Sequence, residues 1–481
     1  MSGVSFRAIE MLAILPIGTI VILALIMLCL DLCKVWYPRL IWLLSTCALS
    51  FVSSIPQFFI KGSVFGGLLS VGAFNTFIYA LLLGGAALAL ALNRGNMEAQ
   101  RVSNSVDVDV LTLFAVAGAM VMVSSTQLMI LFLGFELLSV SVYVLAGLAR
   151  KEKASSEAAL KYFILGAFSS AFLLYGIVLV YAATGSMEYV GVASQARADN
   201  LMLWLGFACM LFGFAFKLGV VPFHFWVPDV YQGAPTSITV FMAVVVKVAA
   251  FGSFFRVMVE CFGPVSQQWV GLLWTLSVIS MTVGNLVALR QKSIKRMLAY
   301  SSISHAGYAL MGLLVPDGGQ AMIFYLAVYS LMTVASFGVV LIVTKGTDRQ
   351  YDRDDLDSLS GMGWSHPLLG LAMVVAMLSL AGMPPFAGFI GKLYLFRAAI
   401  QGGFVGLTII AALNSVVSLY YYLRVLVVLY FRAEPSEAAS KFPMPLASLL
   451  ALAVATLGTL YLGVFSDRCF EYVITAVQSL G

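Results

Sequence analysis

Apolar residues run along this chain in blocks, with neither the period of two of a half-buried strand nor the one-sided stripe of a soluble helix. About fourteen blocks are long enough, at roughly 20 residues, to cross a hydrocarbon core as helices. Their approximate limits are 10–31, 38–57, 70–92, 107–125, 127–148, 155–183, 200–222, 236–260, 267–289, 296–315, 319–345, 366–400, 402–431 and 443–465. The pattern predicts an all-α, polytopic membrane protein, with no polar insert long enough to form a separate soluble domain. Prolines interrupt the seventh and twelfth blocks, which are expected to be broken helices. The first block, from Met11 to Leu30, reads as a spanning helix and not as a removable signal.

Composition agrees. Of the 481 residues 61% are hydrophobic and only 10% charged, and the mean hydropathy is +1.00. A soluble domain carries about 25% charged residues. The net charge of +5 matters less than where the cations stand. Most of the 27 Lys and Arg lie in loops that follow odd-numbered blocks: Lys34 and Arg39; Arg94 and Arg101; Arg150, Lys151 and Lys153; Arg290, Lys292, Lys295 and Arg296; Lys345, Arg349 and Arg353; Arg432 and Lys441. Loops after even-numbered blocks are assigned only Lys61, Arg197, Arg256 and Arg397. The positive-inside rule places the first set in the cytoplasm and both termini in the periplasm. No basic stripe stands apart from the spans, so nucleic acid is not an expected partner.

Weak internal symmetry is visible. "LGVVPFHFWVPD" from Leu218 and "SLAGMPPFAGFIGK" from Ser379 are both apolar helices broken by proline near glycine, and each has a lysine close by, Lys217 and Lys392. Paired broken helices point to an inverted-repeat transporter and its ion path.

Five ionisable residues fall inside the blocks: Glu136, Lys161, Lys217, Lys247 and Lys392. A charge at bilayer depth costs at least about 2.5–3.5 kcal/mol, so such residues pair or face water. Lys161 is near enough to its helix end to snorkel; Glu136, Lys217 and Lys247 are too central for that. Desolvation moves a lysine and a glutamate toward values where protons come and go near neutrality, and a Glu–Lys pair opposes both shifts. Glu136 and Lys217 are expected within about 4–6 Å or joined by water, and a motion that opens the pair would release the lysine's proton. Backbone freed at the proline breaks needs partners, which water can supply.

Three histidines remain. His224, just after Pro222, and His305 are candidates for proton relay or for hydrogen-bonded packing, and His366 beside Pro367 reads as structural. The six cysteines are scattered without a CxxC pair, so neither a zinc nor an iron–sulfur site is expected. Asp229 and the cluster Asp352, Asp354, Asp355 and Asp357 read as loop residues.

Four strings carry a resemblance: "KLGVVPFHFWVPDVYQGAPTSIT" from Lys217, "FLGFELLSVSVYVL" from Phe132, "KRMLAYSSISHAGY" from Lys295 and "GMPPFAGFIGKLYLF" from Gly382. Together they resemble the antiporter-like membrane subunits of respiratory complex I, the NADH:quinone oxidoreductase, and the likeness covers essentially the whole chain. The loop "VPDVYQGAP", a lysine at 392 and the lack of a long lateral C-terminal helix set the chain apart from the M-type and L-type paralogues. The resemblance implies fourteen helices in one membrane domain over 1–481. It implies inverted repeats over 107–260 (helices 4–8) and 267–431 (helices 9–13). It implies proton transfer through Glu136, Lys161, Lys217, Lys247, Lys392 and His305. No cofactor or metal is expected in this chain, since NADH, FMN, iron–sulfur clusters and quinone belong to the rest of the complex. Implied partners are M-type and L-type subunits and the small K-type and J-type subunits, in a bacterial inner membrane.

Other readings stay open. A subunit of a multi-subunit cation/proton antiporter would want convergent carboxylates for sodium, and Glu136 is the one clearly central carboxylate. A membrane-bound hydrogenase subunit shares the architecture. A quinone-binding redox subunit needs a lateral pocket, and a structural scaffold leaves the buried charges unexplained.

Overall fold

The structure, a computed structural model, describes residues 6–94, 106–315, 317–343, 354–432 and 444–480. Arg101, Lys345, Arg349, Asp352, Arg353 and Lys441 lie outside the described residues, as does the side chain of Arg94.

The blocks form helices. Helices α1 (Phe6–Leu32) and α2 (Arg39–Ser54) lead to a short antiparallel hairpin, β1 (Gly62–Val64) and β2 (Leu69–Val71), in which Gly62 pairs with Val71. Then follow α3 (Ala73–Arg94), α4 (Val106–Ser124), α5 (Leu128–Ala146), α6 (Lys153–Thr184), α7 (Tyr189–Gln195), α8 (Leu201–Leu218), α9 (Trp226–Gly233), α10 (Thr236–Phe241) and α11 (Lys247–Glu260). The second half holds α12 (Ser266–Ala288), α13 (Ile294–Leu310), α14 (Gly318–Val343), α15 (Met362–Ser365), α16 (Pro367–Ala381), α17 (Ala387–Gln401), α18 (Val405–Phe431), α19 (Leu446–Val464) and α20 (Ser466–Gln478).

Among the described residues, twelve helical segments are long and apolar enough to cross a membrane. Two predicted blocks are not among them. Block 296–315 folds as α13, with 17 residues, and is interrupted by serines and a histidine that need protein partners. Block 366–400 divides into α16 and α17, of 15 residues each. Arg256 and Arg397, assigned to loops, lie within α11 and α17. Arg256 stays inside because Glu260, one turn on, pairs with its Nε at 2.7 Å, and the Val123 carbonyl accepts from its guanidinium at 3.1 Å.

Burial sorts the helices. The most apolar stretch of the α10–α11 span is buried throughout and that of α14 almost throughout, whereas two thirds of the corresponding residues of α1 and α2 are not buried, their outer faces left to lipid. The centre is therefore made by α10–α11, α13 and α14. Small residues let backbones meet around it, as membrane packing favours. A Cβ on Gly134 of α5 would fall 2.5 Å from the Met122 nitrogen of α4, and one on Gly307 of α13 would fall 2.7 Å from the Met281 nitrogen of α12.

Both expected breaks are present. Helix α8 ends at Gly219 (φ 70°) and α16 at Gly382 (φ 82°), each in the left-handed conformation that terminates a helix and that glycine adopts without strain. Protein groups partner part of the freed backbone. The Trp226 indole donates to the Phe216 carbonyl at 2.8 Å, Val221 N–H donates to Ser280 Oγ at 3.0 Å, and Gly388 N–H donates to Ser379 Oγ at 3.0 Å. A third irregularity lies between α10 and α11, where Met242–Val246 forms a π-helical turn directly before Lys247. Such turns widen a helix locally and recur at functional positions.

Candidate functional site

Lys217 occupies the last turn of α8 and is 1% exposed. Its ammonium donates to Ser139 Oγ of α5 at 2.7 Å, while that hydroxyl donates to the Phe135 carbonyl at 2.6 Å. The rings of Phe135, Tyr143 and Tyr162 lie 5.0, 5.5 and 5.6 Å from it. Their faces attract a cation, more strongly where water is excluded. Glu136 is one turn from Ser139 on α5 and interacts with Lys217 electrostatically. The two form no direct bond. Glu136 Oε1 is buried without a hydrogen-bond partner, as are the hydroxyls of Tyr143, Tyr162 and Ser170. The expected pair thus interacts without a bond, and serine holds the lysine.

Lys247 follows the π-helical turn and is 3% exposed. It donates to both the carbonyl and Oγ of Ser302 on α13, the latter at 2.6 Å, under the Tyr329 ring at 5.6 Å. Tyr231 of α9 packs edge-on against Trp226 at 6.1 Å, and Trp226 stacks at 4.3 Å on Tyr162 of the Lys217 site. One turn beyond Ser302, His305 is held by two phenols. Its Nδ1 meets the Tyr325 hydroxyl of α14, and its Nε2 meets that of Tyr422 of α18 at 3.0 Å. Tyr422 also bonds Ser301 Oγ. Phenols donate or accept, so either imidazole tautomer fits this bracket.

Lys392 of α17 is 3% exposed. It donates to Ser415 Oγ at 2.8 Å and to the Ala381 and Leu380 carbonyls at 3.1 and 3.3 Å, over the Tyr308 ring at 4.9 Å. The carbonyls that the break of α16 frees are therefore satisfied by this lysine. His305 interacts electrostatically with both Lys247 and Lys392. Titratable groups from α8, α11, α13 and α17 are thus arranged through the buried centre, with hydroxyls between them.

Lys161 lies elsewhere. It is 42% exposed at one end of the bundle, paired with Glu157 at 2.7 Å and with Asp229 at 2.8 Å. The Asp229 carboxylate also accepts from Arg296 of α13 at 2.7 Å, so it ties α6 and α9 to the second half of the chain. Burial raises the Asp229 pKa, but hydrogen bonds from Lys161 and Arg296 outweigh this and hold it below the usual carboxylate range. These groups line a polar cavity of about 950 Å³ together with Lys151, Lys153 and Lys292. In the acidic cluster, Asp354 pairs with Lys295 at 3.5 Å and Asp357 pairs with Arg432. His224 is not joined to the central groups; it stacks on Phe225 at 4.7 Å, and its Nδ1 is buried without a partner.

Sequence reasoning missed Ser139, Ser302, Ser415, Tyr231, Tyr325, Tyr422 and the bridging place of Asp229. The available signal was hydroxyls inside spanning blocks, as in "SVSVY" and "YSSIS".

A family model described as NADH:quinone oxidoreductase/Mrp antiporter, TM, matches residues 125–418. NADH-quinone oxidoreductase subunit N of Trichlorobacter lovleyi is 43% identical over 416 residues, 84% of this chain and 83% of its own. Subunit N of Mycobacterium tuberculosis is 41% identical over 377 residues, 77% of this chain and 71% of its own. A chain of respiratory complex I from Thermus thermophilus with bound aureothin superposes with a TM-score of 0.81 at 35% identity, covering 95% of this chain and 98% of that one. A chain of the Mrp complex from Dietzia sp. shares the fold, with a TM-score of 0.83 at 21% identity. With the family model spanning more than half of its length, and relatives this similar over most of it, the chain belongs to the NADH:quinone oxidoreductase/Mrp antiporter membrane family, among the proteins called NADH-quinone oxidoreductase subunit N.

Proposed function

We propose that this chain conducts protons as an antiporter-like membrane subunit of an NADH:quinone oxidoreductase, with Lys217, Lys247, His305 and Lys392 as the carriers and Glu136 as the charge that biases Lys217. The observation that carries the reading is the buried series of lysines and histidine bracketed by serine and tyrosine hydroxyls. A proton crossing the membrane needs titratable groups at that depth, and hydroxyls between them both donate and accept. Lys161, with Asp229 and Arg296, lines the polar cavity at one end and serves as the contact with water. His224 has the weakest claim, since no bond joins it to the series.

Two repeats, 107–260 and 267–431, frame the path, each supplying one broken helix. The chain works in a bacterial inner membrane with both termini periplasmic, beside M-type and L-type subunits and the small K-type and J-type subunits. It needs no cofactor of its own; NADH, FMN, iron–sulfur clusters and quinone act elsewhere in the complex. The relatives' names and the 35% identity to a complex I chain support this reading over a cation antiporter, for which the Mrp likeness is one of fold.

Lys247→Arg tests it. Arginine keeps the charge but does not release a proton near neutrality. In inverted membrane vesicles holding the assembled complex, NADH-driven proton uptake is expected to collapse. Uptake at the normal rate and stoichiometry would make Lys247 an electrostatic element and remove it from the path.

A further inference from the structure

Among the described residues, cations meet different kinds of partner. Lys161, Lys295 and Arg296 each bond a carboxylate at the end of the bundle. Lys217, Lys247 and Lys392 do not; each bonds a serine hydroxyl, at 2.7, 2.6 and 2.8 Å. Burial alone does not explain the difference. The Arg256 side chain is 4% exposed, and it still has Glu260 at 2.7 Å. Nor is a carboxylate out of range everywhere, because Glu136 stands one turn from Ser139 with Oε1 unpartnered.

Chemistry gives the choice a meaning. A carboxylate beside an ammonium favours the protonated lysine and opposes release. A serine oxygen accepts an N–H from the charged ammonium or from the neutral amine, and its own proton can turn to the amine's lone pair. A hydroxyl therefore fixes where the nitrogen sits without fixing its charge. Ser139 and Ser415 are themselves oriented, donating to the Phe135 carbonyl at 2.6 Å and the Ala381 carbonyl at 3.2 Å. Ser302 offers Lys247 two acceptors, its carbonyl and its hydroxyl.

We propose that Ser139, Ser302 and Ser415 are positioning residues of the conduction path, each holding a buried lysine in place without a bonded carboxylate so that the lysine can give up its proton. The inference rests on the proton-conducting reading above and adds to it. For Lys217 it names the partner of the open state: the lysine rests on Ser139, and Glu136 is the alternative one turn away.

The test uses the assembled complex in inverted vesicles, with NADH oxidation and proton uptake measured together. Ser302→Asp gives Lys247 the counter-charge it lacks and is expected to lower uptake per NADH oxidised about tenfold or more, the scale of one charge-assisted hydrogen bond. Ser302→Ala removes the holding bond and lowers it less, and Ser302→Thr, which keeps the hydroxyl, restores it relative to alanine. If the aspartate variant does not assemble, Ser415→Asp at the half-buried serine, with Ser415→Ala and Ser415→Thr, replaces that series. Uptake unchanged by both aspartate and alanine, or threonine no better than alanine, overturns the proposal. Lys247→Met separates the two failures. If it abolishes uptake while the serine variants pump normally, the serines have no positioning role. If it too pumps normally, the conduction reading itself is wrong.

Discussion

Gly382→Ala should damage proton transfer out of proportion to its size. Gly382 ends α16 with φ 82°, where an alanine pays roughly 1–2 kcal/mol for the left-handed backbone. An added Cβ would also lie 2.9 Å from Lys392 Cδ and 3.1 Å from its Nζ, where ordinary contact begins near 3.4 Å. The lysine must retreat by about half an ångström, relative to the usual 2.7–3.2 Å range of such bonds. Its bond to Ala381, 3.1 Å, then lengthens past that range, and that to Leu380, already beyond it at 3.3 Å, is lost. Loss of one bond to a charged donor adds roughly 1.5–3 kcal/mol, so the whole effect is about 2.5–5 kcal/mol. Gly403→Ala is the control. Gly403 has φ 85° with nothing within 4 Å of an added Cβ, so it carries the backbone cost alone. Both variants are expected to melt at lower temperature in detergent, and only Gly382→Ala to lose proton uptake per NADH oxidised. Equal uptake by the two would refute the claim that the Lys392 position, set by the helix end, governs transfer.

Asp229→Asn removes the charge shared by Lys161 and Arg296. These side chains are between 32% and 42% exposed, and solvent screening limits the loss of stability to about 1 kcal/mol. Because the folded carboxyl is held below its ordinary range, its contribution is present above the unfolded pKa and lost as pH falls through the lower folded one. The melting difference between parent and variant should therefore be constant near neutrality and shrink below about pH 4; a difference that grows on acidification contradicts the assignment. Topology is tested by alkaline phosphatase fused at the C-terminus or at Lys292. The enzyme works only outside the cytoplasm, so activity at Lys292 and none at the C-terminus reverses the proposed orientation.

The spans and both breaks were legible because lipid imposes a simple rule: a chain crossing it must be apolar for about 20 residues and satisfy its own backbone. Proline and glycine then mark where that rule is locally suspended, as at Gly219 and Gly382. Helix α13 was also read as a spanning block, but it falls short of the twelve apolar spans. Its serines and His305 lower its hydropathy, yet nearly all of it is buried, since its solvent is neighbouring helices and not lipid. Glu136, Lys217, Lys247 and Lys392 could be picked out because a charge in an apolar run is costly and conspicuous. Their partners could not. A buried serine costs little and commonly bonds its own helix, as Ser253 does with the Ala249 carbonyl at 2.7 Å, so nothing in the string distinguishes Ser139 or Ser302 from it. Lys161, unlike the central residues, was read as near enough to its helix end to snorkel, and α6 begins at Lys153, two turns before it.

The two broken helices carry this further. In sequence they look alike, a lysine near a glycine and a proline, but the lysines stand on opposite sides of the break: Lys217 precedes Gly219, and Lys392 follows Gly382 by ten residues. The structure nonetheless gives them similar surroundings. Lys217 is in the last turn of α8, and Lys392 folds back from α17 onto the terminal carbonyls of α16. The C-terminal end of a helix carries partial negative charge from its aligned peptides and favours a cation there by a modest amount. Aromatic faces add a second weak attraction, Phe135 for Lys217 and Tyr308 for Lys392. Both sources stabilise an ammonium without a full counter-charge. Two connectivities that place a lysine at a helix C-terminus, beside a serine and under a ring, are what a site requires if the charge must sometimes leave.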